Sequence, residues 1–273
     1  MTATEITLVT VSLPCNCCGS NSERKVLEKR GTVTGHPFQL VQCRRCGFLY
    51  FNPRPSQEMI ANLYDEKYYA GKGWDPATNY TSAYGHDEIG DNRMLLNRLI
   101  SFHKPPARLL DFGCGLGDLA RQARAAGYDV EGYEISPSAR AFCQQNGLTV
   151  YAETSKIPNN SYDIVTAVEV IEHAYTPDTL FKQVQTALRP GGVFLYTTMN
   201  PTIFLWKYWL GLVSDDSYIL PEGHLNFFNR HVMKRYLRAA GFSRFGQQWV
   251  PSATPLRSFI KDLLGLHLPS GIK

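Results

Sequence analysis

Five of the seven cysteines fall between Cys15 and Cys46. They form two copies of one pattern, Cys15-Asn16-Cys17-Cys18-Gly19 and Cys43-Arg44-Arg45-Cys46-Gly47, with 24 residues between the pairs. Two residues between thiolates let one chain turn aim both sulfurs at a single tetrahedral ion. The glycine that follows permits the positive-φ backbone that turns amides toward sulfur. A doubled C-x-x-C at this separation favours Zn2+ over a redox pair, a disulfide or chance. Cys15, Cys18, Cys43 and Cys46 are the expected ligands, and Cys17 is the spare thiol. Four thiolates close the coordination shell, so the metal is expected to be structural.

The segment between the pairs alternates apolar and polar residues around Val26-Leu27 and Phe38-Gln39-Leu40-Val41, as short strands do. The whole resembles a zinc ribbon. Residues 1–60 carry seven Lys and Arg against four Asp and Glu, a local +3. Zinc with four thiolates subtracts two charges and leaves about +1. The module's basic look mostly disappears, which weighs against a nucleic-acid partner.

A second centre lies in Leu110-Asp111-Phe112-Gly113-Cys114-Gly115-Leu116-Gly117-Asp118, where a predicted strand turns directly into a helix. Glycines there let the backbone pass close to a ligand at a helix N-terminus. A dinucleotide fold wants G-x-G-x-x-G, but the third position is Asp118 and the run is G-x-G-x-G. Glu134 ends the next predicted strand 17 residues after Gly117, where a carboxylate can accept both hydroxyls of a ribose.

With these motifs in order, residues 90–250 resemble the class I S-adenosylmethionine-dependent methyltransferases. The resemblance implies that Asp111, Gly113, Gly115 and Gly117 surround the methionine part of that cofactor, with Cys114 in the same turn. It implies that Glu134 holds the ribose, with Ile135 beside the adenine and Glu153 meeting the adenine amino group. Val168 and Glu169 would line the floor under the sulfonium, and Arg189-Pro190-Gly191-Gly192 matches the turn before the fifth strand.

Chemistry on the acceptor is sought after the fourth strand, in Glu169-Val170-Ile171-Glu172-His173. His173 can deprotonate a hydroxyl because its ordinary pKa lies near neutrality; the alternative is a histidine that merely orients the loop. The run also resembles the E-x-x-E-H of ubiquinone-biosynthesis O-methyltransferases, which implies a second divalent cation at Glu169, Glu172 and His173. The same E-H occurs in methyltransferases without any metal, so this is the minor alternative. The Asn/Asp-Pro-Pro-aromatic signature of amine methylation is absent, which favours a hydroxyl. His224, in Gly223-His224-Leu225-Asn226-Phe227-Phe228, is the second base candidate, or else a histidine fixing its own loop.

The elements that must position these groups follow from pattern. The chain has 273 residues, 44% apolar and 19% charged, with a net charge of +4. That excludes disorder and collagen-like repeats and is too weakly basic to imply nucleic acid. Strands are predicted near 108–112, 129–134, 148–151, 162–168, 192–198 and 245–250, alternating with helices. The fold class is α/β, a Rossmann-like doubly wound, mostly parallel sheet. Asn52-Pro53-Arg54-Pro55 reads as a rigid linker, Ser56 as a helix cap, and 87–102 as a helix. Ser136-Pro137, Thr176-Pro177 and Asn229 open helices closed at Gly147, at Pro190-Gly191-Gly192 and at Gly241. Three parts result: 1–55, the cysteine module; 56–104, a helical, tyrosine-rich connector or lid carrying Tyr64, Tyr68, Tyr69, Tyr80 and Tyr84; and 105–273, the cofactor-binding domain.

An insertion at 202–220 holds Phe204, Trp206, Tyr208, Trp209 and Tyr218, read either as an acceptor lid or as one packed helix. Leu256, Phe259, Ile260, Leu263 and Leu264 form a stripe that docks on the body or makes peripheral membrane contact. The N-terminus lacks a signal-peptide pattern, so a cytoplasmic location is expected. The expected function is methyl transfer to a small-molecule acceptor in secondary-metabolite, quinone or glycan biosynthesis. The alternatives are an rRNA or tRNA methyltransferase with a zinc-containing RNA-binding module, and a zinc-dependent interaction protein that binds the cofactor without turnover. Oligomeric state is not indicated.

Overall fold

The computed structural model describes residues 9–64, 68–69, 92–199, 201–210 and 219–246. The predicted parts at Tyr80, Tyr84, Tyr218 and the 256–264 stripe lie outside the described residues, as do 87–91 of the expected helix and 247–250 of the expected last strand.

The N-terminal strands are β1 (Thr10–Val11), β2 (Glu23–Arg30), β3 (Pro37–Cys43), β4 (Leu49–Phe51) and β5 (Arg54–Pro55). β2 and β3 pair antiparallel around a turn closed by Gly31 N–H to the His36 carbonyl, at 2.9 Å. Helices α1 (Gln57–Leu63) and α2 (Arg93–Phe102) follow. Ser56 caps α1 as expected, its hydroxyl accepting from Met59 N.

From Arg108 the chain alternates strand and helix: β6 (Arg108–Phe112), α3 (Asp118–Ala125), β7 (Asp129–Tyr133), α4 (Pro137–Gln145), β8 (Thr149–Tyr151), β9 (Tyr162–Val168), α5 (Pro177–Ala187) and β10 (Leu188–Thr197). All five strands pair parallel in the order β10-β9-β6-β7-β8. The winding reverses between β6 and β9, which is where a doubly wound sheet opens its ligand crevice. Helix α6 (Pro201–Trp209), strand β11 (Asn226–Phe227) and helix α7 (Arg230–Ala239) complete the order. Asn229 caps α7 by accepting from Val232 N at 2.9 Å. Among the described residues no helix is long and apolar enough to cross a membrane.

Alternation along the strands sends side chains to opposite faces. Leu109 and Ile164 pack with Leu99, Ala120, Val130 and Cys143 on one face. Leu110, Phe112, Val165 and Ala167 pack with Phe181, Phe228 and Tyr236 on the other, and Cys15, Cys43, Cys46, Phe48 and Tyr50 belong to that same buried cluster. β11 adds to the edge of the N-terminal sheet, Asn226 opposite Tyr50 and Phe227 opposite Leu49. The cysteine strands and the parallel sheet therefore share apolar interior.

Four expectations need correction. Residues 52–55 are not a free linker: Arg54 and Pro55 pair with β1, and Arg54 is fully buried. Helix α5 stops at Ala187, and β10 already begins at Leu188, with a register shift before Val193 that absorbs Pro190-Gly191-Gly192. In the aromatic insertion Tyr208, Trp206 and Trp209 are exposed, so these three do not serve core packing. Residues 245–246, the described start of the expected last strand, carry no strand.

The shared interior makes a prediction. Phe48 is fully buried against the rings of Tyr50, Phe228 and Tyr236. Phe48→Ala should cost about 3–5 kcal/mol in one cooperative urea transition seen alike by circular dichroism and tryptophan fluorescence. A variant whose sheet domain unfolds at the wild-type midpoint would show two independent units.

Candidate functional site

Because the five strands are parallel, their C-terminal ends share one edge. At the end of β6, Gly113, Gly115 and Gly117 have φ of +78°, +53° and +80°, a conformation that costs other residues strain. The turn is held by Gly113 N and Cys114 N, which both donate to the Tyr133 carbonyl at the end of β7. A Cβ at Gly113 would lie 2.6 Å from Val170 Cγ2, so the turn packs directly on the segment after β9. Cys114 and Cys143 are buried behind it, and the Cys143 thiol donates to the Gly115 carbonyl at 3.3 Å.

Glu134 is buried beside this turn. Its Oε2 accepts from Gly115 N at 2.9 Å, and its Oε1 accepts from Ser136 N at 2.8 Å and from the Tyr69 hydroxyl at 3.2 Å. Burial raises its pKa. Asp111, also buried, accepts from the Thr166 hydroxyl at 2.7 Å, and burial raises it to about 6. Ile135 is exposed next to Glu134, and Glu153 is exposed after β8, accepting from Ser155. Val168 is partly buried, and Glu169 is exposed with φ +51°. A glycine cradle with a carboxylate at its rim suits a ligand that carries a ribose and a cationic group.

After β9 the chain makes one tight turn over Ile171–His173. Glu172 is buried, its Oε2 accepts from the Thr198 hydroxyl at 3.1 Å, and among the described residues Oε1 has no hydrogen-bond partner. Burial, and then the neighbouring Glu169, push its pKa well above the ordinary carboxylate range. His173 Nδ1 lies 2.9 Å from the Gly223 carbonyl, and its ring lies 4.7 Å from that of His224 and 6.1 Å from that of Tyr64. A carbonyl only accepts, so Nδ1 carries the proton and the basic lone pair is on Nε2. The near-neutral pKa expected for His173 is corrected: burial, and then His224, push it down to about 3.

The four cysteines form a separate centre. Cys15 and Cys46 sulfurs lie 3.6 Å apart, as do those of Cys18 and Cys43, and all four lie within 4.8 Å of one another. Gly19 and Gly47 adopt φ of +70° and +74°, and their amides donate to the Cys15 and Cys43 carbonyls. Four thiolates about 2.3 Å from a tetrahedral ion sit about 3.8 Å apart, so the set fits zinc. Cys17 is not in it. Among the described residues no second such group forms, so Glu169, Glu172 and His173 are not gathered as a ligand set.

A family model described as a methyltransferase domain matches residues 84–244, more than half of the chain. The chain belongs to the methyltransferase domain family. Among its relatives, the ubiquinone biosynthesis O-methyltransferase of Pectobacterium atrosepticum is 31% identical over 173 residues, 59% of this chain and 65% of that protein. The one of Burkholderia thailandensis is 28% identical over 188 residues, 63% of this chain and 78% of that protein. The chain thus spans slightly less than two thirds of the first relative's length. The crystal structure of magnesium protoporphyrin IX methyltransferase from Synechocystis PCC 6803 shares the fold, with a TM-score of 0.51 at 14% identity, covering 68% of this chain and 89% of that one.

The methyltransferase-domain match begins after the cysteine module, yet several groups that hold the site come from that module and were not legible as such. Asn16 Nδ2 and Arg54 Nη1 both donate to the Tyr175 carbonyl, at 3.1 and 3.4 Å. Asn226 Nδ2 donates to the Ala174 carbonyl at 2.6 Å, and Leu225 N to the Glu172 carbonyl at 2.9 Å. Buried Glu222 accepts from Thr32 N, Val33 N, Thr34 N and the Thr34 hydroxyl. The only sequence hint of these was their placement within C-x-x-C or beside His224.

Asp111 supplies a test of the buried edge. Its folded pKa of about 6 exceeds its ordinary 3.8, so its stabilising contribution is complete below the lower value and lost as pH rises through the higher. Above that, its charge costs up to about 3 kcal/mol. Asp111→Asn should therefore be more stable than wild type at about pH 8, and the advantage should vanish near pH 4 in urea titrations. A constant difference across pH would refute the buried-charge account.

Proposed function

We propose that this methyltransferase domain moves a methyl group from S-adenosylmethionine to a hydroxyl of a small-molecule acceptor, and that Cys15, Cys18, Cys43 and Cys46 hold a structural Zn2+. The observation that carries the reading is the single edge on which the glycine cradle, Glu134 and the His173–His224 pair converge. The relatives named as ubiquinone biosynthesis O-methyltransferases support oxygen as the acceptor atom, with a ring hydroxyl of a quinone precursor as the first class to try.

The cofactor, when bound, supplies a methyl already activated by its sulfonium. The chain must align the acceptor, exclude water and take one proton. Glu134 would hold the ribose, and Asp111 stands behind the cradle as a buried negative group facing a cationic ligand. His173 takes the proton on Nε2. A base held near pKa 3 is weak, but the hydroxyl proton becomes strongly acidic as the new carbon–oxygen bond forms, so a weak neutral base suffices.

Zinc is supported by electrostatics as well as geometry. Arg54 is fully buried, and among the described residues its Nε and Nη2 have no hydrogen-bond partner. Its guanidinium lies over the rings of Tyr50 and Tyr175, and burial pushes its pKa down. A zinc tetrathiolate is anionic and would offset this buried cation.

Purified protein with labelled cofactor and phenolic quinone precursors should yield products heavier by one CH2, read by mass spectrometry. Glu134→Ala should weaken cofactor binding at least about tenfold in calorimetry, having lost charge-assisted contacts; unchanged binding would remove that assignment. His173→Ala should lower kcat by about 10²–10⁴ with little change in cofactor affinity. Wild type should show no acid limb from His173 between about pH 5 and 8. Metal analysis should find one zinc in wild type and in Cys17→Ser but not in Cys43→Ser. Equal loss in both variants would refute the ligand set.

A further inference from the structure

Glu222 is a carboxylate with no exposed surface in a turn that contains no other charge. The tip of the β2–β3 hairpin closes around it: Thr32 N, Val33 N and Thr34 N donate at 3.0, 3.3 and 3.1 Å, and the Thr34 hydroxyl at 3.0 Å. The fit is close, because a Cβ on Gly31 would lie 1.8 Å from Glu222 Oε1. Successive amides around a carboxylate form a rigid anion nest.

The next residue matters more. The Gly223 carbonyl is the group that meets His173 Nδ1 at 2.9 Å. The turn over 220–224 is closed by Gly223 N and His224 N, both donating to the Leu220 carbonyl, and Leu225 N ties its far side to the Glu172 carbonyl. Nothing else in that turn reaches the hairpin by a charged side chain. The direction of the Gly223 carbonyl is therefore set between two anchors, Glu222 in the nest and Leu225 on the loop after β9.

We propose that Glu222 is a positioning residue: gripped by the hairpin of the cysteine module, it holds the Gly223 carbonyl where that carbonyl fixes the tautomer and orientation of His173. This rests on the reading of His173 as proton acceptor. It assigns the module a task in the transfer step itself, because the hairpin that binds Glu222 is the one that leads into Cys43.

Two variants test it. Glu222→Gln keeps the shape but turns an amide NH2 toward backbone N–H groups. Thr34→Val keeps the fold of the hairpin and removes one of the four donors. Both proteins should retain zinc and bind cofactor within about twofold of wild type. The expected kcat falls by about 10- to 100-fold in Glu222→Gln and by a few-fold in Thr34→Val, with KM little changed. Nitrogen NMR of the His173 ring should show the Nδ1–H tautomer in wild type and a mixture in Glu222→Gln. A purely structural Glu222 would lower the melting temperature while leaving kcat and the tautomer intact in both variants, and that result overturns the proposal. If His173→Ala keeps full kcat, the base reading fails. The tautomer shift in Glu222→Gln still reports separately on the positioning.

Discussion

Buried backbone that lies outside helices and strands must find its hydrogen bonds elsewhere, and residues 169–175 are where this requirement shapes the molecule. They carry Glu169, Glu172 and His173, yet their regular structure is a single tight turn. Their carbonyls are met instead by Leu225 N and Asn226 Nδ2, and by Asn16 in the first cysteine turn and Arg54 in β5. Each such bond contributes only about 1 kcal/mol net, but leaving a buried carbonyl unmet costs about 1–3 kcal/mol. The loop is therefore fixed by what surrounds it, and Glu169, Glu172 and His173 inherit their positions from that frame.

Electrostatics follow the same edge. Asp111, Glu134 and Glu172 are all buried, and burial raises the pKa of each. They differ in how they are satisfied. Glu134 receives three donors and suits a role at the rim. Glu172 receives one donor and sits beside Glu169, and its pKa is pushed well up. Glu222 receives four and needs no ligand at all. The number of donors around a buried carboxylate sets how far its charge is satisfied within the fold itself.

What could be read from the sequence was what local chemistry dictates. Ser56 and Asn229 cap their helices, Gly19 and Gly47 adopt the positive φ expected after each C-x-x-C, and four of five clustered cysteines converge. What could not be read depends on distant partners. Asn226 and Phe227 are two residues long as a strand and pair across more than 170 positions of chain. Arg54 looked like part of a polar, proline-rich linker because nothing nearby shows that the Tyr50 and Tyr175 rings enclose it. His173 was legible as a candidate, but its depressed pKa comes from burial and from His224, fifty-one positions away. The hydroxyl of Tyr69 on Glu134 is another long-range contact with no local mark.

The cysteine module then has a physical reason to be where it is. The family match begins at residue 84, so the sheet and its cofactor turn are specified without the module. The loop after β9 is not, because its donors come partly from the first C-x-x-C, from Arg54 and from the strand that β11 joins. A two-residue edge strand and a few side-chain donors would be marginal alone. Asn16 lies between Cys15 and Cys18, two of the four cysteines whose sulfurs gather within 4.8 Å, in a turn closed by Cys18 N and Gly19 N donating to the Cys15 carbonyl. Arg54 lies over the Tyr50 and Tyr175 rings and donates to the same Tyr175 carbonyl as Asn16. Asn16, Arg54 and the Tyr175 carbonyl thus form one connected unit at the end of the loop that carries His173.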